Sequence, residues 1–107
     1  MARQFRLYTA REEDTYRLSL TGELDRATVP DFEQALRTAC ADGAPTITVD
    51  LSGLAFVDSG GLVAILEGQR LCVGHGRKYR IDPRMSPAVR RLLEITGVER
   101  LPFGTDP

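Results

Sequence analysis

The sequence predicts a single α/β domain built around a mixed β-sheet of four to five strands. Some segments alternate apolar and polar residues, which is typical of half-buried strands, and others repeat apolar residues at helical spacing. These segments follow one another in the order β-β-α-β-α-β-α, and a last short strand is possible after them. Helices that cross between strands favour parallel pairing, and the two opening strands add an antiparallel hairpin.

The chain opens with two segments of alternating residues. We predict strands at residues 4–9 and 15–20, joined by the charged turn 11–14. The segment that leaves the second strand carries two acids, Glu23 and Asp25, which we expect to lie in a loop.

The next predicted element is a helix that begins near Thr28. Asp31 follows three residues later, as in a capping box, and Pro30 suits the first turn of a helix. Residues 42–45, Asp-Gly-Ala-Pro, are expected to end this helix. Its core-facing stripe is predicted to comprise Val29, Phe32, Leu36, Ala39 and Cys40.

A third strand, with alternating residues from Ile47 to Leu51, leads into the segment 51–62. A second helix is predicted to follow, with Gly74 as its C-terminal cap. The residues expected to form its apolar face are Leu62, Val63, Ile65, Leu66 and Val73.

The last elements are predicted to be a strand and a helix. Residues 78–82 are polar for a central strand, so we expect them near an edge of the sheet. Ser86 and Pro87 are a typical cap and first residue of a helix, and Gly97 is expected to end it. Residues 101–103 are the candidate fifth strand.

Composition narrows the possible functions. The chain has 107 residues, which is enough for one domain spanning residues 1–107, and its net charge of −1 gives no support to nucleic-acid binding. No apolar run approaches the roughly 20 residues of a membrane helix, and no signal peptide is apparent. Cys40 and Cys72 lack metal-ligand spacing, so reduced core thiols are expected rather than a disulfide. These features predict a cytoplasmic protein that does not insert into a membrane. The sequence also lacks a cofactor-binding motif, so no cofactor is expected.

The segment Asp58-Ser59-Gly60-Gly61 carries the most reactive chemistry in the chain. It lies between a predicted strand and a predicted helix, so Ser59 is expected to expose its hydroxyl at a helix start. Asp and Ser are common helix caps, and capping alone is the simplest explanation. Capping explains one polar residue but not an Asp-Ser pair followed by two glycines.

Two chemical roles for Ser59 remain. Asp-Ser-Gly-Gly also surrounds the nucleophile of chymotrypsin-like proteases, but a catalytic triad needs a histidine base. The single histidine, His75, lies in a glycine-flanked turn after the serine, whereas in these proteases the histidine precedes it. The chain is also predicted to alternate strands and helices, which argues against the all-β fold of these proteases. A serine that receives a phosphoryl group from a partner needs no base of its own, and we favour this role.

Three segments together resemble a known family. They are residues 21–25 (Thr-Gly-Glu-Leu-Asp), residues 50–62 around Asp58-Ser59-Gly60-Gly61, and residues 86–97, which begin Ser-Pro-Ala-Val. In this order they look like a STAS-domain anti-sigma factor antagonist, and the resemblance covers nearly the whole chain. The fold that it implies has helices packed mainly on one face of the sheet.

The resemblance implies a bacterial protein that switches partners and is not an enzyme. The unmodified antagonist would bind an anti-sigma factor, itself a serine kinase that brings ATP, and so free a sigma factor. The kinase would then phosphorylate Ser59 and end the contact, and a phosphatase could reset the switch. The residues expected to bind the partner are Glu23, Asp25, Asp58, Gly60 and Gly61.

One position departs from the commonest family pattern. Many members have a second hydroxyl residue directly after the phosphorylated serine, and here that residue is Gly60. An alternative function stays open, in which the domain is a STAS docking subunit of a lipid-transport ATPase complex or a stress-signalling particle, without a phospho-switch.

Overall fold

The computed structural model of the chain describes residues 4–96. The elements follow one another in the predicted order, β-β-α-β-α-β-α. Their bounds are β1 Arg6–Glu12, β2 Thr15–Leu24, α1 Val29–Asp42, β3 Thr46–Val57, α2 Ser59–Gly74, β4 Lys78–Met85 and α3 Pro87–Thr96.

The strands of the described part form one four-stranded sheet in the order β1-β2-β3-β4. The hairpin of β1 and β2 is antiparallel, and β2, β3 and β4 are parallel neighbours. The predicted mixed α/β sheet is therefore confirmed, and β4 lies at an edge as expected. The candidate strand 101–103 and the predicted helix end at Gly97 lie outside the described residues.

The core lies between α1, α2 and the face of the sheet that carries Leu18, Val49 and Ile81, all three fully buried. The pleat of a strand sends alternate side chains to opposite faces, which is why the alternating residues of β2, β3 and β4 meet in this layer. Tyr79 on β4 donates a hydrogen bond from its hydroxyl to the carbonyl of Ile65 in α2, at 2.7 Å.

The opposite face of the sheet carries a cluster of charges. Arg17 Nη2 lies 3.0 Å from Asp50 Oδ2 and 2.5 Å from Asp82 Oδ2, and Arg84 Nη2 lies 3.0 Å from the same Asp82 oxygen. Hydrogen bonds from Arg84, joined by those from Arg17, hold the pKa of the Asp82 carboxyl well below its usual range. The four side chains tie β2, β3 and β4 together across the sheet.

Several predicted boundaries in the first half were wrong. β1 begins and ends later than predicted, so that Arg11 and Glu12 of the predicted turn lie in the strand. β2 runs to Leu24, and Glu23 lies in it rather than in a loop, because parallel pairing with β3 continues that far. Thr28 does precede α1, but its side chain makes no cap hydrogen bond, so the predicted capping box is absent. α1 ends at Asp42, as predicted, and Gly43 follows with a left-handed φ of 96°.

The predicted face of α2 was partly wrong. Leu62 and Ile65 are buried, but Val63 and Val73 are more than half exposed. The helix packs instead through small residues such as Ala64 and Gly68, which a search for large apolar residues overlooks. α2 also continues through Gly74, so its C-terminal cap is His75.

The two cysteines are buried free thiols, as predicted. Cys40 on α1 and Cys72 on α2 place their Sγ atoms 3.9 Å apart. Burial, together with the neighbouring Cys40 thiol, raises the pKa of Cys72 to about 12, which keeps it protonated at neutral pH.

None of the helices in residues 4–96 combines the length and the hydrophobicity that a membrane-spanning helix needs.

Candidate functional site

The predicted site forms where β2 and β3 end side by side. Because the two strands are parallel, their carboxyl ends meet at one edge of the sheet, and Leu24 pairs with Val57 in the last step of the ladder. Asp25 and Asp58 are the next residues of the two strands. The backbone N–H of Asp58 donates to the carbonyl of Leu24 at 3.2 Å, which joins the two loops.

Asp58 is the N-cap of α2. Its Oδ1 accepts a hydrogen bond from the N–H of Gly61 at 2.7 Å, which satisfies one of the unpaired donors at the helix start. Its Oδ2 lies 3.4 Å from the N–H of Arg26, in the loop between β2 and α1. The capping interpretation of the motif is therefore correct for Asp58 and leaves Ser59 for another role.

Ser59 is the first residue of α2, and its side chain is exposed. Among residues 4–96, no side chain or backbone group makes a hydrogen bond with its hydroxyl. Since Asp58 supplies the cap, the hydroxyl of Ser59 is free to meet another molecule.

Asp25 shapes the loop beside Ser59. Its Oδ1 accepts hydrogen bonds from the N–H groups of Ala27 and Thr28, at 3.0 and 3.2 Å. The Thr28 hydroxyl donates to the carbonyl of Glu23 and accepts from the N–H of Asp25. Thr28 thus braces the loop rather than capping α1, a role that sequence spacing did not reveal.

The two glycines after Ser59 have different surroundings. A Cβ atom on Gly61 would lie 2.5 Å from the carbonyl oxygen of Leu24, a distance that real Cβ atoms do not reach. A Cβ on Gly60 would meet only Asp58 Oδ1, at 3.4 Å. Gly61 therefore allows α2 to approach the end of β2, whereas Gly60 is exposed and leaves room for a side chain.

Glu23 lies on β2 opposite Phe56 of β3 and is half-buried. Glu23, Asp25 and Asp58 therefore lie at one edge of the sheet. Whether they and the two glycines contact a partner stays a prediction.

An apolar groove next to the site was missed by the sequence analysis. It has a volume of about 410 Å³ and lies between the end of β3 and α3. Phe56 and Ile95 line it and are 46% and 75% exposed, with Arg91 at its border. The signal was present in the sequence, since Phe56 lies only two residues before Asp58.

The geometry does not supply a catalytic triad. The chain contains one histidine, His75, at the far end of α2 from Ser59. A helix rises 1.5 Å per residue, so the two residues lie roughly 24 Å apart. The described residues also contain no group of three or more His, Cys, Asp or Glu that could hold a metal ion. The site instead contains the exposed hydroxyl of Ser59 close to the carboxylates of Asp25 and Asp58.

Comparison with known proteins agrees with this description. A family model described as "Mlab, STAS domain" matches residues 7–103. An anti-sigma-B factor antagonist from Staphylococcus aureus is 32% identical over 93 residues, which is 87% of this chain and 85% of the relative.

Solved structures give the same picture. An anti-sigma factor antagonist from Mycobacterium paratuberculosis matches with a TM-score of 0.75 and 26% identity, over 95% of this chain and 87% of that one. The antagonist SpoIIAA in its unphosphorylated form matches with a TM-score of 0.67 and 28% identity, over 88% and 81%. The phosphorylated form of the Bacillus protein SpoIIAA matches with a TM-score of 0.63 and 27% identity, over 88% and 84%.

These relatives are regulatory binding proteins by name, which agrees with the prediction of a protein that is not an enzyme. The match to the family model spans the three helices of the described residues and their sheet except for Arg6. The chain therefore belongs to the STAS domain family, together with proteins named as anti-sigma factor antagonists.

Proposed function

We propose that this protein is an anti-sigma factor antagonist that is switched by phosphorylation of Ser59. The unmodified form binds an anti-sigma factor that is also a serine kinase, and so frees a sigma factor in the bacterial cytoplasm. Transfer of the γ-phosphoryl group of ATP to Ser59 then ends the contact. A phosphatase that removes the group would complete the cycle.

The observation that carries this proposal is the free hydroxyl of Ser59. It is exposed on the first residue of α2, while Asp58 alone provides the cap. The transfer forms a bond between Ser59 Oγ and the γ-phosphorus, breaks the bond to ADP, and releases the hydroxyl proton. The kinase must supply the base that takes this proton, because His75, the single histidine, lies at the other end of α2.

The proposed partner surface surrounds this hydroxyl. Glu23, Asp25 and Asp58 give it an acidic edge, and exposed Gly60 lets another backbone approach closely. Phe56 lies three residues before Ser59 and adds exposed apolar area. We also include Gly61 in the surface, although its tight fit against Leu24 already explains why it is glycine.

The charge of a phosphate can account for the release of the partner. Phosphorylation adds about −1.5 to −2 charge at neutral pH. Beside the carboxylates of Asp25 and Asp58, this charge would be repelled by an acidic partner surface, and such a like-charge contact can cost several kcal/mol. A loss of about 2.7 kcal/mol already weakens binding a hundredfold. No change of fold is required.

The test is phosphorylation by the anti-sigma factor kinase encoded in the same genome. The two purified proteins are incubated with ATP, and the antagonist is examined by intact and peptide mass spectrometry. We expect one phosphoryl group, on Ser59, and none in the Ser59→Ala variant. Ser52→Ala is the matched control, since Ser52 is also exposed and should leave phosphorylation unchanged.

Phosphorylation that persists in Ser59→Ala would overturn the assignment of the residue. A wild-type protein that the kinase binds but never phosphorylates would contradict the switch and favour the docking-subunit alternative.

A further inference from the structure

Arg26 lies directly beside the residue that precedes Ser59. Its backbone N–H is 3.4 Å from Asp58 Oδ2, across the junction of the two loops. The neighbouring hydrogen bonds of Asp25 and Thr28 hold the backbone of this loop in a tight turn. The backbone of residue 26 is thus placed by the fold, while its side chain is exposed.

The guanidinium of Arg26 has no partner among residues 4–96. Other arginines of this part of the chain do find carboxylates, as Arg17 does with Asp50 and Arg84 with Asp82. Two acids lie close to Arg26, but both carboxylates accept hydrogen bonds from backbone N–H groups instead. An exposed guanidinium with no partner among these residues therefore belongs to a residue whose backbone lies beside the candidate phosphorylation site.

We infer that Arg26 is the internal counter-ion of a phosphate on Ser59. The inference rests on the proposed function, because it concerns the phosphorylated form. A phosphoserine brings three acceptor oxygens and up to two negative charges next to Asp58. The planar guanidinium can donate two parallel hydrogen bonds to a phosphate. It is attracted less strongly to the carboxylates of Asp25 and Asp58, because these already accept hydrogen bonds from backbone N–H groups.

This pairing would make phosphorylation change two features of the surface at once. The acidic edge gains the charge of the phosphate, and the exposed cation of Arg26 is withdrawn from any partner that had used it. The pairing also offsets the repulsion between the phosphate and Asp58 within the domain itself. The phosphorylated protein can then stay folded while its binding surface is altered.

The test places phosphoserine at position 59 during synthesis, by genetic encoding, so that no kinase is needed. The second pKa of the phosphate, about 6 in an unpaired phosphoserine, is measured by phosphorus NMR titration. We expect the Arg26→Gln variant to raise this pKa by about 0.5 unit relative to the unsubstituted phosphoprotein. Arg26→Lys, which keeps the charge but loses the fork, should lie between the two.

Arg70→Gln is the matched control. It removes the same charge from an exposed position on α2, three turns away from Ser59, and should leave the pKa unchanged. Equal pKa values in the unsubstituted protein and Arg26→Gln, with both folded by backbone NMR spectra, would overturn the inference. This outcome is distinct from failure of the proposed function, which the kinase assay reports separately.

Discussion

Two pairs of aspartates occupy opposite parts of this domain and use their carboxylates differently. Asp50 and Asp82, on the face of the sheet opposite the core, bind the guanidinium groups of Arg17 and Arg84. Asp25 and Asp58, at the edge where β2 and β3 end, accept hydrogen bonds from backbone N–H groups. The carboxylates of the first pair form ion pairs with arginines, whereas those of the second pair fix the backbone of the loops around Ser59.

The difference shows what each region is suited to do. On the sheet, Arg17 and Arg84 pair with Asp50 and Asp82, and these ion pairs hold three strands together. At the edge, the carboxylates are oriented but not neutralised, and Ser59 stands exposed between the loops that they shape. A further negative charge would change the edge strongly, which suits a switch.

The largest expected effect comes from removing a charge on the sheet. Asp82→Asn leaves Arg17 and Arg84 without their shared carboxylate, whose side chain is only 9% exposed. Hydrogen bonds to charged groups contribute about 1.5–3 kcal/mol, so we expect the free energy of unfolding in urea to fall by about 2 kcal/mol. Asp42→Asn, which removes the more exposed pair with Arg11, should cost less than about 1 kcal/mol. Equal losses would contradict the proposed role of the cluster.

A smaller effect on the free energy of unfolding is expected at the edge of the sheet. There the ability of Asp58 to accept a hydrogen bond should matter more than its charge. Asp58→Ala removes the cap of α2 and should cost about 1 kcal/mol in the same denaturation experiment. Asparagine caps helices about as well as aspartate, so Asp58→Asn should stay close to wild type. If the asparagine variant lost as much stability as the alanine variant, the charge of Asp58 would be what stabilises the fold, and Asp58 would not differ from Asp82 in this respect.

An effect no larger than that of Asp58→Ala is expected in the pH dependence of stability. The pKa of Asp82 is lowered by folding, so the unfolded chain takes up protons first as the pH falls through about 4. Its stabilisation is therefore complete above about pH 5 and declines below that, by about 1 kcal/mol between pH 5 and pH 3. Asp82→Asn should show a shallower decline when urea midpoints are measured over this range. Parallel curves for the two proteins would contradict this assignment.

The sequence predicted the order of the elements because their apolar spacing is a local property. Local signals also placed Asp58 and Ser59 at the start of α2 and Gly43 at the end of α1, since caps depend on a few adjacent residues. The resemblance to STAS-domain antagonists, and not residue spacing, indicated that Asp25 and Asp58 belong to the same site. These parts of the fold and site needed no knowledge of distant contacts.

The predictions that failed depended on contacts between distant residues. Glu23 remains in β2 because β3 continues alongside it, and Val63 is exposed because Ala64 and Gly68 bring α2 close to its neighbours. Thr28 is an exception, because it braces a loop through local hydrogen bonds to Glu23 and Asp25, and the capping-box spacing did not distinguish this role from a cap. The charge cluster of the sheet depends on strand register, which spacing alone does not fix.

The most direct test of the central claim is the affinity of the anti-sigma factor for two forms of this protein. One form carries an unmodified Ser59, and the other carries phosphoserine at that position, with both shown to be folded. Isothermal titration calorimetry would measure the two dissociation constants under the same conditions. We expect phosphorylation to weaken binding at least a hundredfold, equivalent to about 2.7 kcal/mol. Equal affinities would contradict it, because the exposed serine would then control nothing.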